Sequence, residues 1–341
     1  MTSPPERPVR TIFLGSGHFA QPTLGRLAAH PSIDLVAVVT APPRPVGRIK
    51  LVTRTPVHKE ARDLGLDVRT PERLRDPAAL ADLLAHDPDL VVLADYGQIV
   101  PAALLDRRFG ALNLHPSLLP RHRGATPIPA ALLAGDHATG VTLIRMDSGI
   151  DTGPIVAVEH ATLGGEETAP ALEARLAIAA AGLLARSLDP WLDGELEAVP
   201  QPEAGATMTR PLRRSDGRVD ASIPAEILER QVRAYLPWPG SFLEAGGERL
   251  VVLAGRVAPS DSDDEPGRLV PDPAGLALAT VDGRLVLDEV QAAGRRPMTG
   301  EAFLRGHPSI LGRLIRKATD AHDGDDPSDV AERSRPAADP A

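Results

Sequence analysis

The sequence predicts an α/β protein, with a mostly parallel sheet carrying helices on both faces and then a small β-barrel. Three observations predict this. In the first half, short apolar runs alternate with stretches of helical spacing, the pattern of a parallel sheet covered on both sides. Over residues 194–212 (GELEAVPQPEAGATMTRPL) periodicity is lost and Pro, Gly and Glu gather, as in a linker between domains. Beyond it, short alternating strands lie close together, separated by turn signals such as Asp282-Gly283.

The elements follow in order. Val9–Leu14 is an apolar strand that ends at Gly15, and His18–Ala29 has helical spacing through Phe19, Leu24 and Leu27. Leu35–Thr40 is a second, β-branched strand. A helix over Val57–Leu64, a short strand Asp67–Arg69 and a helix over Pro77–Ala85 follow. Leu90–Ala94, Ala111–His115 and Val141–Met146 read as strands, Ile155–His160 as another, and Thr168–Leu188 as a long helix. After the linker come a helix, Pro224–Ala234, and strands at Arg249–Leu253, Arg268–Val270, Leu276–Thr280 and Arg284–Val290. The domain reading is 1–193, linker 194–212, second domain 213–317 and tail 318–341.

At 341 residues the chain is too long for one ordinary domain and comfortable for two. No apolar run approaches the roughly 18 residues of a membrane span, and Met1–Arg10 has no apolar signal region. The chain has no cysteine, which rules out disulfides, thiolate nucleophiles and Cys-ligated zinc. A net charge of −9 is unevenly spread: Ala318–Ala341 holds seven acidic and two basic residues without apolar periodicity and reads as a disordered acidic tail. Residues 208–317 are near neutral, so charge neither supports nor excludes a nucleic-acid partner.

Gly15-Ser16-Gly17-His18-Phe19-Ala20 follows the first strand and half-resembles a dinucleotide fingerprint. The third glycine is absent and Asp34 precedes the second strand, so the motif reads as a tight strand-to-helix turn. No P-loop, zincin helix or G-x-S-x-G elbow occurs. His58, His86, His122, His137 and His160 are scattered and read as surface or packing residues.

Asn113 and His115 are two apart on one strand and share a face, at the carboxyl end where a parallel sheet places its chemistry. The pair fits a site or a satisfied core histidine with a polar neighbour. Met146-Asp-Ser-Gly-Ile-Asp-Thr-Gly-Pro154 is a Gly-rich loop with two carboxylates. Either carboxylate could orient an imidazole, or satisfy backbone N–H groups in an Asx turn. Spacing does not choose between Asp147 and Asp151.

The run NLHPSLLPRHRGATPI with AGDHATGVTLIRMDSGIDTGPI resembles the formyltransferases that use 10-formyltetrahydrofolate. Their hallmark, Asn-x-His, Ser-Leu-Leu-Pro and an Asp-x-Gly loop, falls at Asn113, His115, Ser117–Pro120 and Asp151. Within that superfamily the chain is similar to the methionyl-tRNA formyltransferase family. The basic loop Pro42–Lys50, the run Tyr96-Gly-Gln-Ile-Val-Pro101, the stretch Val232–Phe242 and Ala293–Met298 carry the likeness. Pro43, Ile49, Leu51 and Asp95 depart from the family's usual residues.

The resemblance implies a Rossmann-like catalytic domain, an OB-like C-terminal tRNA-binding domain, and formyl transfer from 10-formyltetrahydrofolate to the amino group of methionyl initiator tRNA in the cytoplasm. It implies no metal and no membrane, and a monomer. Asn113 and a protonated His115 are the expected oxyanion donors, and Asp151 the carboxylate that holds the imidazole. Folate is expected against Tyr96, Gly97, Gln98, Ile99, Met146 and Asp147, with Ser117, Leu118, Leu119 and Pro120 lining the site. Arg44, Arg48 and Lys50 are the expected contacts to the tRNA acceptor stem. A sugar-nucleotide N-formyltransferase would share the catalytic residues but take a small amine. A formyltetrahydrofolate hydrolase would not need the second domain.

Overall fold

The computed structural model describes residues 7–46 and 51–315, which form two compact units divided between Leu212 and Arg213. Arg48, Lys50 and the acidic stretch 318–341 lie outside the described residues.

The first unit runs β1 (Val9–Gly15), α1 (Gln21–Ala28), β2 (Ile33–Val39), a hairpin of β3 (Arg44–Val46) and β4 (Leu51–Thr53), α2 (Pro56–Asp63), β5 (Val68–Arg69) and α3 (Pro77–Ala85). It continues with β6 (Leu90–Ala94), α4 (Ala102–Leu105), β7 (Ala111–His115), β8 (Arg123–Gly124), α5 (Pro127–Ala134), β9 (Ala138–Arg145), β10 (Ile155–Thr162), α6 (Ala169–Leu192) and β11 (Met208–Thr209). The main sheet has the order β10-β9-β7-β6-β1-β2-β5. Its five strands from β5 to β7 are parallel, and β9 and β10 are antiparallel additions. β1 has β2 on one side and β6 on the other, so the chain changes winding direction there. That crevice, at the carboxyl ends of the strands, is where such sheets bind ligands.

The strand runs are apolar because the sheet is covered: every residue of β6 and of β7 is buried. α6 buries Leu172, Leu176, Ala180, Leu184 and Leu188, one residue every turn, and packs on α1, β9 and β10. It extends past Leu188 to Leu192 with Pro190 inside it, and Trp191 Nε1 donates to the Phe109 carbonyl at 3.0 Å, pinning the end. α5 gives no sequence signal because it is apolar on nearly every side and presents no stripe.

One local feature differs from the sequence reading. The stretch 194–212 is hydrogen-bonded along the first unit: Val199 and Ile155 exchange backbone bonds of 2.7 and 2.8 Å, and β11 pairs in parallel with β8. The Gly15–Ala20 turn enters α1 through a 3-10 turn, His18–Ala20. There Asp95 takes φ +50°, and a Cβ on Gly17 would meet its Oδ2 at 1.9 Å. Gly17 therefore makes the room that the unusual Asp95 occupies.

The second unit holds α7 (Ala225–Ala234), β12 (Ser241–Ala245), β13 (Glu248–Ala258), β14 (Leu269–Asp272), β15 (Gly275–Ala279), β16 (Arg284–Ala292), β17 (Met298–Thr299) and α8 (Gly300–Gly306). The antiparallel order is β12-β13-β16-β15-β14, with β17 on β16. Ile315 bridges Ala245 on β12 and Leu314 bridges Arg268 beside β14, so the chain's last described residues link the two edges into a barrel. Leu228 and Val232 of α7 and Phe303 of α8 join Leu243, Leu250, Leu276 and Leu287 in its core.

Candidate active site

β7 carries Asn113 and His115 to the carboxyl edge of the sheet, between β6 (Leu93 opposite Asn113) and β9 (Thr142 opposite His115). Both side chains are about 5% exposed or less. A polar pair this deep needs partners. Asn113 Nδ2 donates to Asp151 Oδ1 at 3.1 Å, and His115 Nδ1 faces Asp151 Oδ2 at 3.5 Å. His115 Nε2 lies 2.9 Å from the His122 carbonyl, which can only accept, so that nitrogen carries a proton.

Asp151 reaches this position through a left-handed backbone, φ +53°, uncommon for a residue with a side chain. Its Oδ2 also accepts from the Gly124 N–H at 2.8 Å. Asp147 does something different. Its Oδ1 accepts from the Gly149 N–H at 3.0 Å and from Thr152 Oγ1 at 2.7 Å, the Asx-turn role. It shapes the loop, and Asp151 meets the imidazole.

Burial pushes the His115 imidazole below its ordinary value, outweighing the upward pull of the Asp151 carboxylate and the His122 carbonyl; the His122 ring adds to the lowering. Burial thus favours the neutral ring, whereas the sequence reading takes it as protonated. With its proton on Nε2, the neutral ring turns a lone pair on Nδ1 towards a carboxylate. The pair is one proton short of satisfying both ring nitrogens, and so forms an acceptor for one proton.

The sequence reading missed the supporting shell. Gln201 Nε2 donates to the carbonyls of Asp151 (2.7 Å) and Gly153 (2.8 Å), clamping the carboxylate's loop. Gln201 Oε1 accepts from Arg123 Nε (3.1 Å) and Nη2 (2.9 Å), and the Arg123 side chain is buried. His122 is not a bystander: its carbonyl accepts the hydrogen bond from His115 Nε2, its N–H donates to Thr207 Oγ1 at 2.8 Å, and its Nε2 pairs with Asp136 at 2.8 Å. Gln201 and Thr207 sit in the Pro- and Gly-rich stretch, where no periodicity marks them.

The remaining predicted residues fall around this centre. Tyr96 is half-buried and its hydroxyl has no partner among the described residues, while Ile99 is exposed. Gln98 is used internally, accepting from the Leu74 N–H at 2.7 Å and donating to the Pro71 carbonyl at 3.3 Å. Ser117 Oγ donates to the Arg121 carbonyl at 2.7 Å, the Leu119 N–H donates to Thr142 Oγ1 at 3.1 Å, and the Pro120 carbonyl accepts from Thr207 N at 3.2 Å. These bonds fix the turn after β7. Met146 and Tyr96 both pack against the same core cluster. Arg44 is exposed and ion-paired with Glu72 at 2.6 Å.

Residues 9–188 match the family model described as formyl transferase, and residues 211–308 match formyl transferase, C-terminal domain. The chain is 46% identical to the methionyl-tRNA formyltransferase of Acidiphilium cryptum over 90% of its own length and 100% of that protein's. It is 44% identical to the methionyl-tRNA formyltransferase of Roseiflexus castenholzii, covering 87% and 96%. Among solved structures, the sugar 3N-formyl transferase WlaRD aligns with a TM-score of 0.62 at 13% identity, over 85% of this chain and 100% of that one. An N-formyltransferase from Helicobacter canadensis aligns at 0.59 and 16%, over 81% and 97%. At these identities the structural likeness shows the fold alone.

Proposed function

The chain belongs to the methionyl-tRNA formyltransferase family, and on that premise we propose that Asn113, His115 and Asp151 move a formyl group from N10 of 10-formyltetrahydrofolate to the α-amino group of methionyl initiator tRNA. The observation that carries this reading is the convergence of the three side chains, with His115 Nδ1 set against the Asp151 carboxylate and Nε2 against a carbonyl.

The neutral amine attacks the formyl carbon and forms a tetrahedral oxyanion. One Asn113 N–H is held by Asp151, which aims the amide and leaves the second N–H for that oxygen. Such a donor is worth roughly 2.7–4 kcal/mol in the transition state. The attacking nitrogen gives up a proton, and the His115–Asp151 pair takes it. The imidazolium so formed lies between two acceptors. It then returns the proton to N10, which leaves as an amine while the C–N bond to the acceptor stays. Because the resting ring is neutral, oxyanion stabilisation by charge on His115 arises only once the amine's proton has arrived.

Folate is read against the backbone of Tyr96–Ile99 and of Met146–Asp147, with Ser117–Pro120 closing one side. The internal bonds of Gln98 support this, since they hold the Tyr96–Ile99 loop by a side chain rather than by its backbone. Arg48 and Lys50 remain the basic-loop contacts proposed for the acceptor stem, with the C-terminal barrel as a further tRNA surface. A part in translation initiation supports reading the enzyme as cytoplasmic.

The sugar-nucleotide alternative rests only on distant fold likeness. The test is formyl transfer from 10-formyltetrahydrofolate to charged initiator tRNA, set beside an amino-sugar nucleotide. Efficient transfer to the sugar and none to the tRNA would sink the reading.

A further inference from the structure

We propose that Arg54, His58, Lys59 and Arg62 form a phosphate-binding pocket that grips the sugar–phosphate backbone of the tRNA substrate. The proposal rests on the reading of tRNA as the acceptor. The four residues and Asp63 line a cavity of about 420 Å³ on α2. Helical spacing gathers three of them, since His58 and Arg62 are four apart on α2 and Lys59 and Arg62 three apart, and Arg54 joins them from the chain just before the Thr55 N-cap.

Two observations mark the pocket as built for an anion. First, among the described residues none of Arg54, Lys59 and Arg62 has an ion-pair partner, and Asp63 is the one carboxylate on the rim. Elsewhere in this acidic chain exposed arginines find carboxylates readily, as Arg44 does with Glu72 and Arg69 with Asp67 and Asp82. Three crowded cations with a single carboxylate beside them repel one another, and a bound phosphate relieves that cost. Second, His58 Nδ1 is sealed from solvent without a hydrogen-bond partner among the described residues. Burial, and after it the charges of Arg54 and Arg62, lower the His58 pKa. A phosphate held among these groups would raise it again by its negative charge.

The location argues for the nucleic-acid substrate as the source of the phosphate. Arg54 follows directly on β4, one arm of the hairpin whose sequence carries Arg48 and Lys50. The arms Arg44–Val46 and Leu51–Thr53 thus join the proposed acceptor-stem loop to α2 by a few residues. Phosphate contacts at this distance would set the register of the RNA without reading its sequence.

The experiment is steady-state formylation of charged initiator tRNA by the full chain across a salt series. In Arg54→Ala/Lys59→Ala/Arg62→Ala, the slope of log kcat/KM against log salt should become shallower by about 2, and the tRNA KM should rise about tenfold or more at low salt. The KM for 10-formyltetrahydrofolate should stay at the wild-type value. Arg54→Lys/Arg62→Lys keeps the charge and should keep the slope. A wild-type slope in the alanine variant overturns the pocket. Failure of the wild-type chain to formylate the tRNA at all overturns the acceptor reading instead. A measurement on the unaltered protein guards against misfolding: the His58 ring resonance should titrate at higher pH with uncharged initiator tRNA than without it. A ring that responds to millimolar inorganic phosphate but not to tRNA overturns the proposal.

Discussion

Asn113 donates from Nδ2 to Asp151 Oδ1 across 3.1 Å, although 38 residues separate the two in the chain. The bond joins a strand end to a loop, and it fixes both the amide's orientation and the carboxylate's second oxygen, which faces His115. Each member of the cluster is placed by another, so the loss of one should be felt by all.

Replacing Asn113 or His115 with Ala, or Asp151 with Asn, should lower kcat/KM for formyl transfer by about a hundredfold or more, the scale of one oxyanion donor or acid–base group. Asp147→Asn should cost much less, because its carboxylate only caps Gly149 and Thr152. A larger loss at Asp147 than at Asp151 would overturn the assignment.

Gln201→Ala should act on the same step from outside the cluster. It removes two bonds to the Asp151 loop and leaves the Arg123 guanidinium without its acceptor. Denaturant unfolding should show a loss of about 1–3 kcal/mol. Turnover should fall while the tRNA KM changes little, since Asp151 loses position rather than charge.

Gly124→Ala tests the other side of the carboxylate. Gly124 takes φ +97°, and an added Cβ would meet the Thr209 carbonyl at 2.3 Å. The β8–β11 pairing must then open and the N–H to Asp151 Oδ2 is lost. Reduced stability together with reduced turnover is the expected result; full activity would show that this N–H is dispensable.

The His115 pKa makes stability depend on pH. The folded chain holds the ring neutral, so its pKa lies below the unfolded value of about 6.5. Between the two values the unfolded chain binds more protons. The contribution is therefore complete above about 6.5 and declines as pH falls towards the folded value. Asp151 and the His122 ring are the titratable groups that face it. Denaturation midpoints from pH 5 to pH 8 should rise with pH in the wild type, and His115→Gln should flatten the rise.

Much of the architecture is legible in local chemistry. LVVLA and ALNLH are apolar over their whole length because β6 and β7 are covered on both faces, and the period-2 placement of Asn113 and His115 follows from strand geometry alone. The Asn-x-His and Asp-x-Gly segments name the catalytic family because their residues lie close in sequence. The apolar α5 and the Pro- and Gly-rich stretch 194–212 are opaque for the opposite reason: neither has a periodic face to read.

Tertiary structure alone decided three things. It set the Asp151 carboxylate against the imidazole through a left-handed backbone, while that of Asp147 turns back on its own loop. It drew Gln201, Arg123 and the His122 carbonyl into the site, since a backbone carbonyl has no residue identity and a long-range clamp has no spacing rule. And it lowered the His115 pKa by burial. A residue's type sets its ordinary pKa, but the depth at which it is buried decides which charge state the fold can hold.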